Sequence, residues 1–530
     1  MSPVEAARNE TLVADTSGPS LPAHSIRRRY LATLISQGMQ LLISALTASL
    51  VPRALGPASF GNYSFILNMA ASLRNFTDLG THQTFFTFSS KEPATGALTR
   101  LYGLWLLIQL ALSIGLILGS QVFGVTALIW PGPTVDQILM VTALEWLIYV
   151  ALLLRQLGDT KGLTVHSQAL SALATFLSAA GLLYLGISGR LTFYSYVAWL
   201  TAATLVTCLG LSLYLLKVHA AACWTGNMRL ERGTYLARWK VYASPLVIYG
   251  FYSVIVSALD TYLIQRLYGS SEQAFFSLSL RWSSMVMLFT TSVLTIYWRE
   301  LTHSLASGNR ARARDIYVRF NHVLFFLAVL LGTWLCCNAP FVIQTLAGPA
   351  YAAAIPVLMV MAFYPVQQTF GQLNSTAFLA SERTRQYKNL GILLSIPHLL
   401  LTYLLLAPRH ARIPGLELGA MGVALKMVAF GLITVQVYAW LNARFFQISY
   451  ARALWDKLRT VGFVGLCAAV AFFGVGAWTR AEGSLGYGAI TALTSAVYFA
   501  LAVFGTHRWP QLAGVSRADW APIERVFKNL

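Results

Sequence analysis

In a chain of 530 residues that is 56% hydrophobic and only 11% charged, with a mean hydropathy of +0.60, there is more apolar surface than a water-facing exterior tolerates, because soluble proteins carry about 25% charged residues. Apolar runs of about 20 residues recur along its length, enough to cross a hydrocarbon core of about 30 Å; without period-2 alternation they also exclude a transmembrane β-barrel. The net charge of +19 in such a chain marks a positive-inside bias before it marks nucleic-acid binding.

Residues 1–26 are polar, rich in Ser, Pro, Thr and Ala, and Arg27, Arg28 and Arg29 follow directly, so the tail is placed at 1–28. They predict a disordered cytosolic tail and not a cleavable signal, since no apolar stretch precedes the arginines. A first lobe, 29–216, holds runs near 31–51, 60–78, 101–120, 138–155, 167–187 and 192–216. A basic linker at 217–240 precedes a second lobe, 241–441, with runs near 241–264, 277–297, 317–337, 353–376, 388–407 and 418–441. Two further runs, near 456–477 and 485–504, occupy 442–505, and 506–530 reads as a second cytosolic tail. The prediction is an all-α polytopic membrane protein of about fourteen transmembrane helices.

With the N-terminus inside, 29 of the 38 Lys and Arg residues fall in cytosolic segments and only seven at the outer side. That asymmetry predicts an even number of spans and both termini cytosolic. The outer loops are short, the longest near 121–137, so none houses an enzyme domain. The inner connections 217–240 and 298–316 are basic with scattered Trp, Leu and Tyr, and predict interfacial helices on the anionic leaflet. The five cysteines (Cys208, Cys223, Cys336, Cys337, Cys467) lie in or beside apolar runs without metal-ligand spacing, as small core residues do.

The segment "RALGPASFGNYSF", from Arg53, returns as "RLYGSSEQAFFSL", from Arg266, after a shift of 213 positions. Arg266 then falls on Arg53, Gly269 on Gly56 and Ser277 on Ser64, and spans nine and ten fall roughly on three and four. Six spans per repeat leave both copies entering the membrane in the same direction. The two lobes are therefore expected to be related by a pseudo-two-fold axis along the membrane normal, with the last two helices outside the repeat.

Several stretches in this order resemble the lipid-linked oligosaccharide flippases of the multidrug/oligosaccharidyl-lipid/polysaccharide exporter superfamily. They are "RALGPASFGNYSF", the "DLG" at Asp78–Gly80, Pro245-Leu246 with Asp260 and "RLYG" beyond, and "RELTHSLASGNRARARDIYVRF" at 299–320. "LAGPAYAAAIPVLMVMAF" at 346–363 and "LELGAMGVAL" at 416–425 complete the set, and the match spans roughly residues 28–505. After "DLG" the chain departs from the family, with "THQTFFTFSSK" where an Arg is common. The resemblance implies a non-enzymatic flippase that carries a polyprenyl-(pyro)phosphate-linked oligosaccharide by alternating access, for O-antigen, capsule or exopolysaccharide synthesis. It implies no cofactor, H⁺ or Na⁺ as the coupling ion, and a polysaccharide polymerase and chain-length regulator as partners, with no nucleic acid. A cation-coupled drug exporter of the same superfamily is the alternative, disfavoured by the extra helix pair. A membrane glycan polymerase or glycosyltransferase is disfavoured by the short outer loops.

Such a cargo calls for cations facing a cavity, and ionisable groups inside spans cost about 2.5–3.5 kcal/mol at mid-helix unless they avoid lipid. Arg74, Lys426 and Arg281 are the candidate phosphate ligands, against the reading that Arg74 and Lys426 form inter-helix ion pairs and that Arg281 snorkels. Glu145, Asp260 and Asp78 are candidates for ion coupling, or for neutralising a nearby cation. Gln37, Gln40 and Asn68, and on span ten Gln367, Gln368, Gln372 and Asn374, carry amides suited to sugar hydroxyls; interhelical hydrogen bonding is the alternative. Arg53 and Arg266 are placed at the outer mouth, more as anchors of helix ends than as cargo ligands. His398 reads as a packed core histidine. No GxSxG, Walker loop, HExxH or CxxC pair is present.

Overall fold

A glycine that must leave the helical region sets the first two elements. Helix α1 runs from Ile26 to Asp78 and holds both first spans, broken at Gly56 (φ 73°, ψ 168°). Pro57 excludes helical geometry from the residue before it, and the resulting conformation is open almost only to glycine. The computed structural model describes residues 26–78, 81–82, 85–86, 89, 96–160, 163–219, 228–477 and 486–514. Both expected tails, apart from 26–28 and 506–514, and residues 220–227 of the 217–240 linker lie outside these.

Helices α2 (Gly96–Val122), α3 (Val135–Thr160), α4 (Thr164–Ile187) and α5 (Phe193–His219) complete the first lobe. Helix α6, Met228–Ala306, repeats the design of α1 over 79 residues and breaks at Gly269 (φ 83°, ψ −177°). No proline follows Gly269, so the glycine alone suffices for the kink. Then come α7 (Arg310–Cys337), the short α8 (Ala354–Met361) and α9 (Tyr364–Ala380), and α10 (Thr384–Leu406). The last elements are α11 (Gly419–Phe445), α12 (Tyr450–Val475) and α13 (Tyr487–Arg508). No strand occurs among the described residues. Nine helices there are long and apolar enough to cross a membrane singly. The other spans are the halves of α1 and α6, and the α8–α9 run, which Pro365 interrupts. Fourteen crossings result, in two six-helix lobes and an extra pair.

Two expectations are corrected. Residues 298–316 form no separate helix: α6 continues to Ala306, and α7 starts at Arg310 after a three-residue turn. Gly308 turns the chain at φ 72°, and Asn309 caps α7 by accepting from the Arg312 N–H at 3.0 Å. In the 217–240 linker, the part from Met228 onward is the start of α6 itself and not a separate interfacial helix.

The repeat is visible in the contacts between lobes. At the end of α1 before its kink, the Ser49 hydroxyl donates to Leu346 O (2.9 Å), and Pro52 O accepts from the Tyr351 hydroxyl (3.1 Å). Both contacts reach the link between α7 and α8. At the matching end of α6, the Tyr262 hydroxyl donates to Leu128 O (2.8 Å) and Gln265 Nε2 to Pro131 O (2.9 Å), on the link between α2 and α3. Each lobe thus grips the equivalent link of the other, as a two-fold relation requires. Between these grips the second half of α1 lies against the kink of α6, where a Cβ on Gly61 would stand 1.8 Å from Ser270 O. The main apolar core surrounds this junction and includes Phe60, Phe65, Phe275 and Tyr351. The extra pair packs on α7, with the Tyr498 hydroxyl donating to Leu330 O at 2.8 Å.

Candidate functional site

Beneath the closed Gly56–Gly269 end, α1, α4, α5 and the second half of α6 surround a cavity of about 440 Å³. Its walls are small hydroxyl residues such as Ser44, Thr47, Ser178 and Ser277, with the Asn68 amide and apolar leucines between them. Tyr63 and Tyr196 meet edge-to-face at its border, ring centroids 5.1 Å apart. Among the described residues one cation enters it: Arg281 reaches across from the second lobe, Nη2 3.3 Å from the Thr47 hydroxyl of the first. No carboxylate among the described residues lines the cavity. The arrangement presents a positive charge, hydroxyls and an amide at the seam between the lobes, which is the chemistry of an anionic, hydroxyl-rich ligand.

Four other charges inside the spans are paired with one another. Arg74 Nε lies 2.9 Å from Glu145 Oε1, joining α1 to α3, and the guanidinium stacks over Tyr149 at 3.8 Å. In the second lobe the Lys426 ammonium contacts Asp260 Oδ1 and the Thr402 hydroxyl at 2.8 Å. Thr402 also donates to Asp260 at 3.1 Å, and His398 Nε2 stands 3.9 Å from the other carboxylate oxygen. This cluster ties α6, α10 and α11 together, and Lys426 is only 1% exposed. It opens the π-helical turn Lys426–Phe430.

The remaining sequence candidates are scattered. Asp78 accepts from the Thr81 hydroxyl (2.6 Å) and the His82 N–H (3.2 Å), stabilising the turn after α1. Burial holds the neighbouring His82 below the ordinary imidazole range, against the pull of Asp78. Asn374 is fully buried, accepting from the Tyr317 hydroxyl at 2.7 Å and from Asn442 Nδ2 at 3.1 Å. Gln367 rests where Gly431 has no side chain, and Gln368 and Gln372 are half-buried on α9, away from the cavity wall. Arg53 donates to Thr345 O at 3.4 Å, on the link that α1 grips, while Arg266 is exposed. Gln37 and Gln40 fall on α1, but their side chains lie outside the described residues.

Of the candidate cargo residues, then, the structure brings Arg281 and Asn68 together at the cavity. The hydroxyl cluster and the Tyr63–Tyr196 pair escaped sequence reasoning. Their one signal was the density of Ser and Thr along 44–47 and 175–178, which interhelical packing explains equally well.

A family model described as polysaccharide biosynthesis protein matches residues 26–297. No curated protein matches by sequence. Among solved structures, the chain is similar to the lipid II flippase MurJ in an inward closed conformation, with TM-score 0.61 and 13% identity over 91% of this chain and 99% of that one. It is also similar to an inward-facing multidrug resistance MATE family transporter of the MOP superfamily, with TM-score 0.53 and 14% identity over 79% and 98% of the two chains. A MOP superfamily transporter from Pyrococcus furiosus gives TM-score 0.51 and 14% identity over 80% and 95%. At these identities the likeness is one of fold.

Proposed function

Because the chain belongs to the polysaccharide biosynthesis protein family, we propose that it is a flippase for a polyprenyl-(pyro)phosphate-linked oligosaccharide, moved from the inner to the outer leaflet of the plasma membrane. The observation that carries this reading is Arg281: a cation with no carboxylate partner among the described residues, set among hydroxyls at the seam of two lobes. A lipid-linked glycan offers phosphate oxygens to the guanidinium and sugar hydroxyls to Asn68, Ser44 and Thr47. A cavity of about 440 Å³ is of the size that holds a drug-sized ligand, so it takes the phosphate and the first sugars, and the rest of the glycan needs the lobes to part. Parting of the lobes at the Gly56–Gly269 junction would break the grips on the two links and open the cavity to the outer side. O-antigen, capsule and exopolysaccharide precursors share this chemistry, and a polymerase and chain-length regulator would act on the delivered product.

Coupling to H⁺ fits the charge pairs better than coupling to Na⁺. The Lys426 ammonium already occupies Asp260, and Arg74 occupies Glu145, so a metal cation would have to displace a built-in one. A proton on Asp260 instead releases Lys426 without needing a vacant site. The test is leaflet transfer of a fluorescent lipid-linked oligosaccharide in proteoliposomes. Arg281→Gln is expected to abolish transfer and Arg281→Lys to retain part of it. Wild-type liposomes that move no glycan lipid but accumulate cationic drugs would replace this reading with a drug exporter.

A further inference from the structure

A second pocket lies at the opposite, basic end of the second lobe, where α11 ends and α7 and α12 begin; its volume is about 180 Å³. Arg314 and Asn321 of α7 border it, with Arg452, Asp456 and Lys457 of α12. Among the described residues three cations therefore face one carboxylate, and Asp456 is shared with Arg459 at 4.0 Å. Lys457 lies with Nζ 3.5 Å from the centre of the Phe370 ring, a contact that draws the ammonium inward without neutralising it. No carboxylate stands within ion-pair distance of it among the described residues. Asn321 is 5% exposed; its Nδ2 donates to Tyr317 O at 2.8 Å, while Oδ1 has no partner. A buried amide oxygen left in that state lacks a donor.

The surroundings place this pocket at the level of lipid headgroups. Trp440, Phe445, Trp455 and Leu458 are exposed beside it, Arg444 stacks on Trp440 at 3.9 Å, and Arg459 stands over Trp455 at 5.5 Å. Alternating Trp and Arg at a helix end is the pattern of a membrane–water interface, and basic pockets between helices on that side suit anionic headgroups. We propose that this pocket binds the headgroup of an anionic glycerophospholipid of the phosphatidylglycerol type. Its phosphodiester sits among Arg314, Arg452 and Lys457, and a glycerol hydroxyl donates to Asn321 Oδ1. The acyl chains follow the apolar outer face of α12. A lipid so held ties the extra helix pair to α7 and α11, whatever the transporter carries.

Native mass spectrometry of the full chain, released from nanodiscs of mixed phosphatidylglycerol and phosphatidylcholine, tests this. The wild type is expected to retain phosphatidylglycerol selectively. Arg452→Gln, at an exposed position that folding tolerates, should weaken retention, and Arg452→Gln/Lys457→Gln should lose it. Arg412→Gln, an exposed arginine outside the pocket, should behave as wild type. Equal retention in all four proteins overturns the site, as does equal retention of the two lipids by the wild type. Asn321→Leu should narrow the preference for phosphatidylglycerol over phosphatidylmethanol, which lacks headgroup hydroxyls; an unchanged preference overturns the hydroxyl contact. Inorganic phosphate that displaces the lipid, and raises the melting temperature of lipid-free protein only when Arg452 and Lys457 are intact, would reassign the pocket to a soluble anion.

Discussion

Arg281 and Lys426 are both cations inside spans, yet their surroundings assign them opposite work. Lys426 is closed in by Asp260 and Thr402, so its charge is compensated within one lobe. Breaking one side of such a pair costs about 3–5 kcal/mol, whereas removing both sides costs far less. Lys426→Met alone is therefore expected to lower the melting temperature sharply, and Asp260→Leu/Lys426→Met to recover most of it. If Asp260 carries the coupling proton, the stable double variant still fails to transport uphill, which a pH-gradient assay reads. At His82, burial favours the neutral imidazole in the native state. As pH falls through the ordinary histidine range of about 6.5, the unfolded chain takes up the proton first and stability drops. The melting temperature should fall between about pH 7 and pH 5, and fall less in His82→Gln.

Among the elements, the two kinked helices matter most. Gly56 and Gly269 hold nearly the same extended, positive-φ backbone, so alanine at either should cost about 1–3 kcal/mol. Pro57→Ala should cost much less, because α6 keeps its kink with Ser270 in that place. Gly61 works differently: it lets α1 touch the Ser270 carbonyl, and Gly61→Ala is expected to push the lobes apart at that end. A thiol probe at position 53 should then label faster than in the unsubstituted background, and the transfer rate should fall. Both kinks were legible in the sequence, since Gly-Pro and its echo after 213 positions are local signals. The continuous helix through 298–306 was not: its basic residues read as a separate interfacial helix, while the hydrogen bonding of α6 carries it on past the apolar run.

At the scale of the whole molecule, the two lobes meet through reciprocal grips at the Gly56–Gly269 end, and the cavity lies beneath them. A disulfide between cysteines at positions 49 and 346, where the side chain of one reaches the backbone of the other at 2.9 Å, should hold that end shut. Transfer is expected to stop on oxidation and to resume on reduction; undiminished transfer would show that this end need not open. The sequence by itself determined the spans, the charge bias between the two sides, the repeat and the kinks. Each depends on composition or on residues next to one another, and a bilayer reads apolar length directly. Which candidate faced the cavity was decided only by the tertiary structure. Transmembrane helices are apolar all round, so no hydrophobic face tells which side turns inward, and partners such as Asp260 and Lys426 lie 166 positions apart. Arg281, Arg74 and Lys426 look alike along the chain; packing paired two of them with carboxylates and left the third at the cavity wall.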